Sequence, residues 1–269
     1  MTDDPSPWIW DLPDGGRSND ADALQVRWKA VREAGGWQAE VLGCIGDDPL
    51  TLLQRPAADP AAPRLLIAAG FHGEEPAGPW GLLRFIGGAD PALLDRVHLT
   101  LLPLVNPSGF RAGRRFNDWG ENPNRGFGLH AGGIAPSREG RVLMAQAARL
   151  GQAGRDGVLS CHEDIKQATF GYLYSLERAP APGAFSRTLL AANARHFPIH
   201  PDGEVDGCPV RGGIVFNRHD GSFEAWTMEL GVARAACVET PGQADIGQRV
   251  AAQADMAEAF VRFAIAAAG

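Results

Sequence analysis

A histidine and a glutamate stand three residues apart, directly after an apolar segment of the chain. Residues 65–69 are apolar throughout, and Gly70 ends this run before the sequence His72-Gly-Glu-Glu75. The run predicts a strand buried on both faces, and Pro76 predicts the start of a helix just after the motif. Imidazole and carboxylate groups are ligands of catalytic zinc, which keeps one position for water. The spacing alone also suits residues that cap a helix or lie on the surface. Other residues must therefore decide whether this motif binds metal.

A third candidate ligand is His162, which also follows a short apolar strand, residues 158–161. Side chains at the ends of neighbouring strands converge at the sheet edge where open α/β sheets bind ligands. His98 lies within a predicted strand, where a core role is the simpler interpretation. His196 and His200 flank a proline in a loop without a partner motif. His162 is therefore the candidate that would complete a three-ligand site.

A long polar segment follows the next apolar strand, which is predicted to end at Leu104. It begins with Asn106-Pro-Ser-Gly-Phe110 and continues over residues 114–127 without hydrophobic periodicity. A loop of this length in a compact domain is usually functional. Its guanidinium and amide groups suit the recognition of a carboxylate or phosphate, although a solvated polar loop would have the same composition.

Two glutamates near the C-terminus are candidates for a general base. Glu229 lies in a short helix that Ser222 is expected to cap and Gly231 to end, where its carboxylate would be solvated. Glu239 stands at the end of the predicted strand 233–238, on the same sheet edge as His162. We therefore predict that Glu239 is the base.

Strands alternate with helices along the chain. The spacing of Leu24, Trp28 and Val31 predicts a first helix, and residues 37–53 predict a β-hairpin. Later helices are predicted over residues 76–86, 137–150, 184–196 and 246–267. This alternation predicts one α/β domain over residues 21–269, a three-layer α/β/α sandwich with a mixed, mostly parallel central sheet. Residues 1–20 are predicted to form an irregular N-terminal arm.

Composition narrows the possible functions. Of the 269 residues 45% are hydrophobic, enough for a large core, and the formal net charge of −7 argues against nucleic acid or an anionic membrane as partner. No secretory signal is visible at the N-terminus, and charges within residues 250–268 favour an amphipathic helix over a membrane span. The four cysteines lack metal-site spacing and are expected to be buried free thiols. These features predict a cytoplasmic protein.

Taken in order, these motifs resemble those of the M14 zinc carboxypeptidases, over residues 37–267. They are H-x-x-E, N-P-x-G, an arginine nine residues before an N-R pair, a strand-end histidine and a strand-end glutamate. The resemblance implies one zinc ion per chain, bound by His72, Glu75 and His162. It also implies that Glu239, eight residues after Gly231, is the general acid and base.

The same resemblance implies how substrate is held. Arg115 would polarise the scissile carbonyl, while Asn124 and Arg125 would grip the terminal carboxylate of the substrate. The implied activity is that of a metallocarboxypeptidase, which cleaves the C-terminal amide bond of a short peptide. The chain is most similar to a small bacterial branch that acts on short peptides or murein fragments.

Two positions depart from the family pattern. Asn122 stands where the family often has an aspartate that orients the first histidine, and a neutral amide would leave His72 less basic. The substrate-capping tyrosine expected shortly before Ser222 is missing. Either His219 takes over its role in binding substrate, or no residue does.

Three other functions fit the same residues. An acyl-amino-acid deacylase of the desuccinylase and aspartoacylase type shares the H-x-x-E and N-R motifs, and a murein peptide amidase would cleave a γ-linked peptide. A zinc-bearing binding module without catalysis needs neither Glu239 nor Arg115, so their presence argues against it. The expected partner is a small peptide or acyl-amino-acid substrate. The sequence does not indicate which oligomeric state the protein adopts.

Overall fold

The computed structural model describes residues 18–269, so residues 1–17 of the predicted arm lie outside the described part of the chain. The strands are β1 Gln38–Ile45, β2 Asp48–Arg55, β3 Arg64–Ala69, β4 His98–Leu102, β5 Gly157–Asp164, β6 Tyr172–Glu177, β7 Gly203–Val205, β8 Cys208–Val210, β9 Ile214–Phe216 and β10 Arg234–Pro241. The helices are α1 Ala21–Ala34, α2 Ala77–Gly88, α3 Pro91–Leu94, α4 Pro107–Ala112, α5 Arg138–Ala145, α6 Ala147–Ala153, α7 Ala184–Asn193, α8 Phe223–Glu229 and α9 Ile246–Ala268.

Eight of the strands form one sheet, in the order β1-β2-β4-β3-β5-β10-β6-β9. The neighbours β4, β3, β5 and β10 are parallel to one another, and β6 and β9 are also parallel. Antiparallel pairs join β1 to β2, β2 to β4 and β10 to β6. The sheet is therefore mixed and mostly parallel, as predicted.

Helices cover both faces of this sheet. Leu65 and Ile67 of β3 face a cluster packed against α1, α2, α7 and α9. Leu66 and Ala68 face a second cluster packed against α5, α6 and α8. This alternation is expected of a strand buried on both faces. It confirms the predicted three-layer α/β/α sandwich.

Two predicted elements differ from the structure. The long polar segment is not a loop throughout, because α4 forms after Asn106. The Asn106 side chain accepts a hydrogen bond from Gly109 N–H, and Pro107 occupies the first helical position, so both residues favour a helix start. The single helix expected over residues 137–150 is two helices, α5 and α6, which meet at Gln146.

Two other expectations concern surface exposure. The amphipathic character predicted for α9 is confirmed, since residues such as Met256 and Phe260 are buried in the core. Within residues 18–269, no helix combines the length and the apolar character needed to cross a membrane. Three cysteines are buried free thiols, but Cys44 is exposed on the edge strand β1.

The central strands β3, β5 and β10 position the candidate site. They are adjacent and parallel, so their carboxyl ends meet at one edge of the sheet. In this register Ala69 pairs with Cys161, and Glu239 pairs with His162. Gly70 turns the chain out of β3 with a φ of 69°, a conformation that glycine adopts without strain.

Gly73 lies between His72 and Glu74, where the chain passes close to α4. A Cβ on Gly73 would overlap the backbone of Gly109 and Phe110. We expect Gly73→Ala to lower the free energy of unfolding by about 1–3 kcal/mol, the usual cost of overpacking, as measured by chemical denaturation. Gly88→Ala is the matched control, because no atom lies within 4 Å of its Cβ position. Equal losses in the two variants would contradict the steric explanation.

Candidate active site

His72, Glu75 and His162 converge at the ends of β3 and β5. His72 Nδ1 lies 2.6 Å from Glu75 Oε1, and His162 Nδ1 lies 2.8 Å from Glu75 Oε2. None of the three side chains is more than 4% exposed. One ligand atom from each residue lies within 4.8 Å of the other two. The structure thus brings together the three residues that the sequence suggested as metal ligands.

The chemistry of these side chains fits zinc. Two imidazoles and one carboxylate are a usual ligand set of catalytic zinc sites, and both rings turn Nδ1 toward the same carboxylate. The other nitrogen of a metal-binding imidazole is normally held by a polar group. His72 Nε2 lies 3.2 Å from Asn122 Oδ1, so Asn122 takes the orienting position expected for it.

Burial and charge shift the pKa values of this cluster. Burial lowers the pKa of His72. Burial also acts to lower the pKa of His162, but the carboxylates of Glu75 and Glu224 outweigh it and raise this pKa to about 10. For Glu75, burial acts to raise the pKa, but the two imidazoles hold it well below its usual range. Metal binding at these atoms would therefore displace a proton from His162.

Glu239 lies beside His162, its partner in the register of β10 and β5. The Cys237 thiol donates a hydrogen bond to Glu239 Oε1 at 3.4 Å. Glu239 Oε2 has no hydrogen-bond partner among residues 18–269, and the side chain lines the same cavity as the metal ligands. Burial raises the pKa of Glu239 to about 8. Glu229 instead accepts a hydrogen bond from Leu129 N–H, away from the cavity lining.

Two arginines of the polar segment reach this cavity. Arg115 Nη1 lies 3.5 Å from Glu75 Oε1, so its guanidinium stands beside a metal ligand. Arg125 Nη1 donates a hydrogen bond to the carbonyl oxygen of Asn124 at 2.7 Å, and its Nη2 pairs with Asp220 at 3.2 Å. Asp220, which no sequence motif marked, offsets part of the positive charge of Arg125.

The side chain of Asn124 makes its contacts inside the protein. Its Oδ1 accepts a hydrogen bond from Phe223 N–H at 2.8 Å. Its Nδ2 lies 3.4 Å from Glu224 Oε2 and 3.3 Å from His162 Nε2. Asn124 also lines the cavity, so its role in holding substrate stays a prediction.

Glu224 is a site residue that the sequence reasoning missed. Its side chain is 2% exposed, and its Oε1 lies 3.5 Å from His162 Nε2. Burial acts to raise its pKa, but the interaction with His162 lowers this pKa to about 2. An acid in the first turn of α8 also suits the helix dipole, so its place in the sequence does not mark it as a site residue. The available signal was its apolar surroundings, Phe223 and Ala225-Trp226.

His219 is not brought to the cavity. Its ring packs against His130, with 5.2 Å between ring centroids. Arg218 and Asp220 line the cavity and His219 does not, because its ring packs on the other side of this segment. The prediction that His219 contacts substrate is therefore not supported by its position.

The cavity itself is small, and many charged side chains line it. Its volume is about 340 Å³, at the low end for sites that bind small molecules. Both tyrosines of the chain, Tyr172 and Tyr174, contribute to its wall. The lining has eight acidic side chains and four basic ones, so its positive charge is confined to Arg115, Arg125, Lys166 and Arg218.

A known protein family matches most of the chain. The catalytic domain of succinylglutamate desuccinylase and aspartoacylase matches residues 61–257, most of the chain. The chain belongs to this family. The matched residues include the three candidate ligands and Glu239. No curated protein sequence matches the chain.

Solved structures extend the comparison. A proposed metallopeptidase of Shewanella amazonensis SB2B is 47% identical, with a TM-score of 0.87 over 91% of this chain and 94% of that chain. A second one, from Shewanella denitrificans OS217, is 46% identical, with a TM-score of 0.85 over 91% of both chains. A metallo-carboxypeptidase of Burkholderia cenocepacia is 20% identical, with a TM-score of 0.63 over 91% of this chain and 68% of that chain. This last likeness concerns the fold, which is carboxypeptidase-like as predicted.

Family and fold together support a zinc hydrolase. We expect the purified protein to bind about one Zn²⁺ per chain and to lose this ion in His72→Ala or His162→Ala. Elemental analysis after dialysis measures the bound metal. His98→Ala is the control, because His98 begins β4, at the opposite end of the sheet. Hydrolysis at full rate after exhaustive chelation would exclude a catalytic metal.

Proposed function

We propose that the protein is a metallocarboxypeptidase, which cleaves the C-terminal amide bond of a short peptide with a free carboxylate. One observation carries this proposal: the three candidate ligands, a buried carboxylate and two arginines all line a single small cavity. A site that only binds metal needs the ligands alone. Glu239 and Arg115 have a use beside those ligands if a bond is broken there.

The chemistry follows from the positions of these groups. Zinc held by the three ligands would supply a Lewis acid and lower the pKa of a water molecule. Glu239 would take the proton of the attacking water and pass it to the departing amine. Arg115 would donate hydrogen bonds to the carbonyl oxygen as negative charge develops there. Losing one such donor typically costs about 3 kcal/mol of barrier.

Glu239 is proposed to transfer the proton, so a side chain of equal size without that ability must fail. We expect Glu239→Gln to lower kcat by on the order of 10² or more while zinc stays bound. Steady-state kinetics with metal analysis measures both effects. Glu229→Gln is the control and should change kcat little, since the amide oxygen can still accept from Leu129 N–H. The reverse result would assign the base to α8.

Arg125 is the proposed contact for the free carboxylate of the substrate. A guanidinium holds a carboxylate with two parallel hydrogen bonds, a geometry that lysine does not reproduce. Two of the donors of Arg125 are engaged by the carbonyl oxygen of Asn124 and by Asp220. The side chains of Arg125 and Asp220 are 31% and 23% exposed, so a substrate carboxylate can compete for this pair.

Amidation of the substrate carboxylate should therefore weaken its reaction. Hydrogen bonds to charged groups are worth about 1.5–3 kcal/mol, so we expect kcat/KM to fall by about 10- to 100-fold. Arg125→Lys should raise KM and narrow the difference in kcat/KM between matched acid and amide substrates. Arg114→Lys is the control, because Arg114 pairs with Asp118 and does not line the cavity. Equal kcat/KM values for acid and amide would mean that Arg125 does not read the carboxylate.

The family match favours a second candidate, an acyl-amino-acid deacylase. An N-acyl amino acid has the same amide bond next to a free carboxylate, so the groups described above would act on it in the same way. The small cavity would hold either substrate.

One assay panel separates the two candidates. Dipeptides and N-acyl amino acids with the same C-terminal residue share the carboxylate and differ only in the acyl half. A higher kcat/KM for dipeptides supports the carboxypeptidase, and a higher value for N-acyl amino acids supports the deacylase. Hydrolysis of neither by the zinc-loaded protein would contradict both.

A further inference from the structure

The orientation of His162 decides which of its nitrogens would carry hydrogen when a metal is bound. Its Nδ1 lies 2.8 Å from Glu75 Oε2, so this nitrogen faces the candidate metal site. If Nδ1 binds a metal, the neutral ring carries its hydrogen on Nε2. This N–H is buried with the rest of the side chain and requires an acceptor.

Two side chains lie near His162 Nε2, and one of them can accept. Asn124 Nδ2 is 3.3 Å away, but Asn124 Oδ1 accepts from Phe223 N–H, so its nitrogen faces the ring as a donor. Two donors do not form a hydrogen bond. Glu224 Oε1 lies 3.5 Å away, and this buried oxygen has no hydrogen-bond partner among residues 18–269, so it is free to accept. Glu224 is therefore the acceptor for His162, and Asn124 Nδ2 faces the other oxygen of this carboxylate.

The two imidazoles of the site are thus held by different groups. His72 Nε2 faces Asn122 Oδ1, a neutral amide oxygen whose direction is set by Asn124 N–H at 3.0 Å. His162 Nε2 faces a carboxylate instead. A carboxylate that accepts from a ligand imidazole fixes the ring and makes it a stronger ligand, and its removal typically costs 10–100-fold in metal affinity.

We propose that Glu224 is a positioning residue that acts through His162 and supplies the negative charge that Asn122 does not supply to His72. Without this charge, two neutral imidazoles and Glu75 alone would hold the cation. The inference rests on the metal site of the proposed function and is independent of the substrate.

The test is the dissociation constant of zinc for the full chain, measured by competition with a chelator at fixed pH. Glu224→Gln keeps the shape of the side chain but removes its charge, and we expect the Kd to rise about 10- to 100-fold. Adding Asn122→Asp to this variant places a carboxylate on His72 and should restore most of the affinity. If Glu224 only stabilised the fold, a carboxylate beside a different histidine would not restore zinc affinity.

Three further measurements separate an effect on zinc affinity from an effect on folding. Glu229→Gln, on the same helix, should leave the Kd unchanged. Asn122→Asp alone should lower the Kd by less than it does beside Glu224→Gln, and in the cobalt-loaded protein Glu224→Asp should change the visible spectrum. The cobalt spectrum of Glu224→Asp can be measured even if Glu224→Gln does not fold, and an unchanged spectrum would overturn the proposal.

Other outcomes would overturn the proposal directly. A Kd for Glu224→Gln within about twofold of the unchanged protein would mean that the carboxylate does not support the metal. Two zinc ions per chain, with one lost in Cys237→Ser, would make Glu224 a ligand of its own, since Glu224, Cys237 and His162 also cluster. An unchanged protein that binds no zinc overturns this proposal and the proposed function together. Zinc binding without hydrolysis overturns only the proposed function.

Discussion

The site depends on one constraint, which is a carboxylate buried between two buried imidazoles. Glu75 is 2% exposed, and a charge in such a place is costly unless it is paired and hydrogen-bonded. The two Nδ1 atoms of His72 and His162 meet this need on either side. Because each group requires the others, the residues at the ends of β3 and β5 cannot move independently. A cation bound here would join a carboxylate and two imidazoles that already contact one another.

The same sheet edge is supported from behind by α2 and α9. Glu163, the residue after His162, accepts a hydrogen bond from Ala77 N–H at the start of α2 and pairs with Arg249 of α9. Gln253 of α9 donates a hydrogen bond to the carbonyl oxygen of His162 at 2.6 Å. The backbone at a candidate ligand is therefore tied to two helices, and sites built on regular elements are held more rigidly than sites on loops.

The sequence predicted what depends on local pattern. Apolar runs located the strands, and helix caps located helix starts. His72, His162 and Glu239 were found because they stand just after predicted strands. It did not predict contacts between distant segments: Glu224 meets Asn124 across 100 residues, and no spacing rule reports such a pair. The packing of His219 on His130 could not be predicted for the same reason, since only the folded chain shows on which side of its segment the ring lies. The helix α4 was hidden because a turn of six residues has no hydrophobic period.

The strand order has a consequence for the kinetics of assembly. Glu75 and His162 are 87 residues apart in the sequence, and they meet only when β3 and β5 pair in parallel. Contacts of such long sequence separation form late, because the entropy of closing a large loop must be lost first. A nascent chain that ends before His162 offers a metal two neighbouring ligands and no more. A metal ion that requires all three ligands would therefore bind only after β3 and β5 have paired.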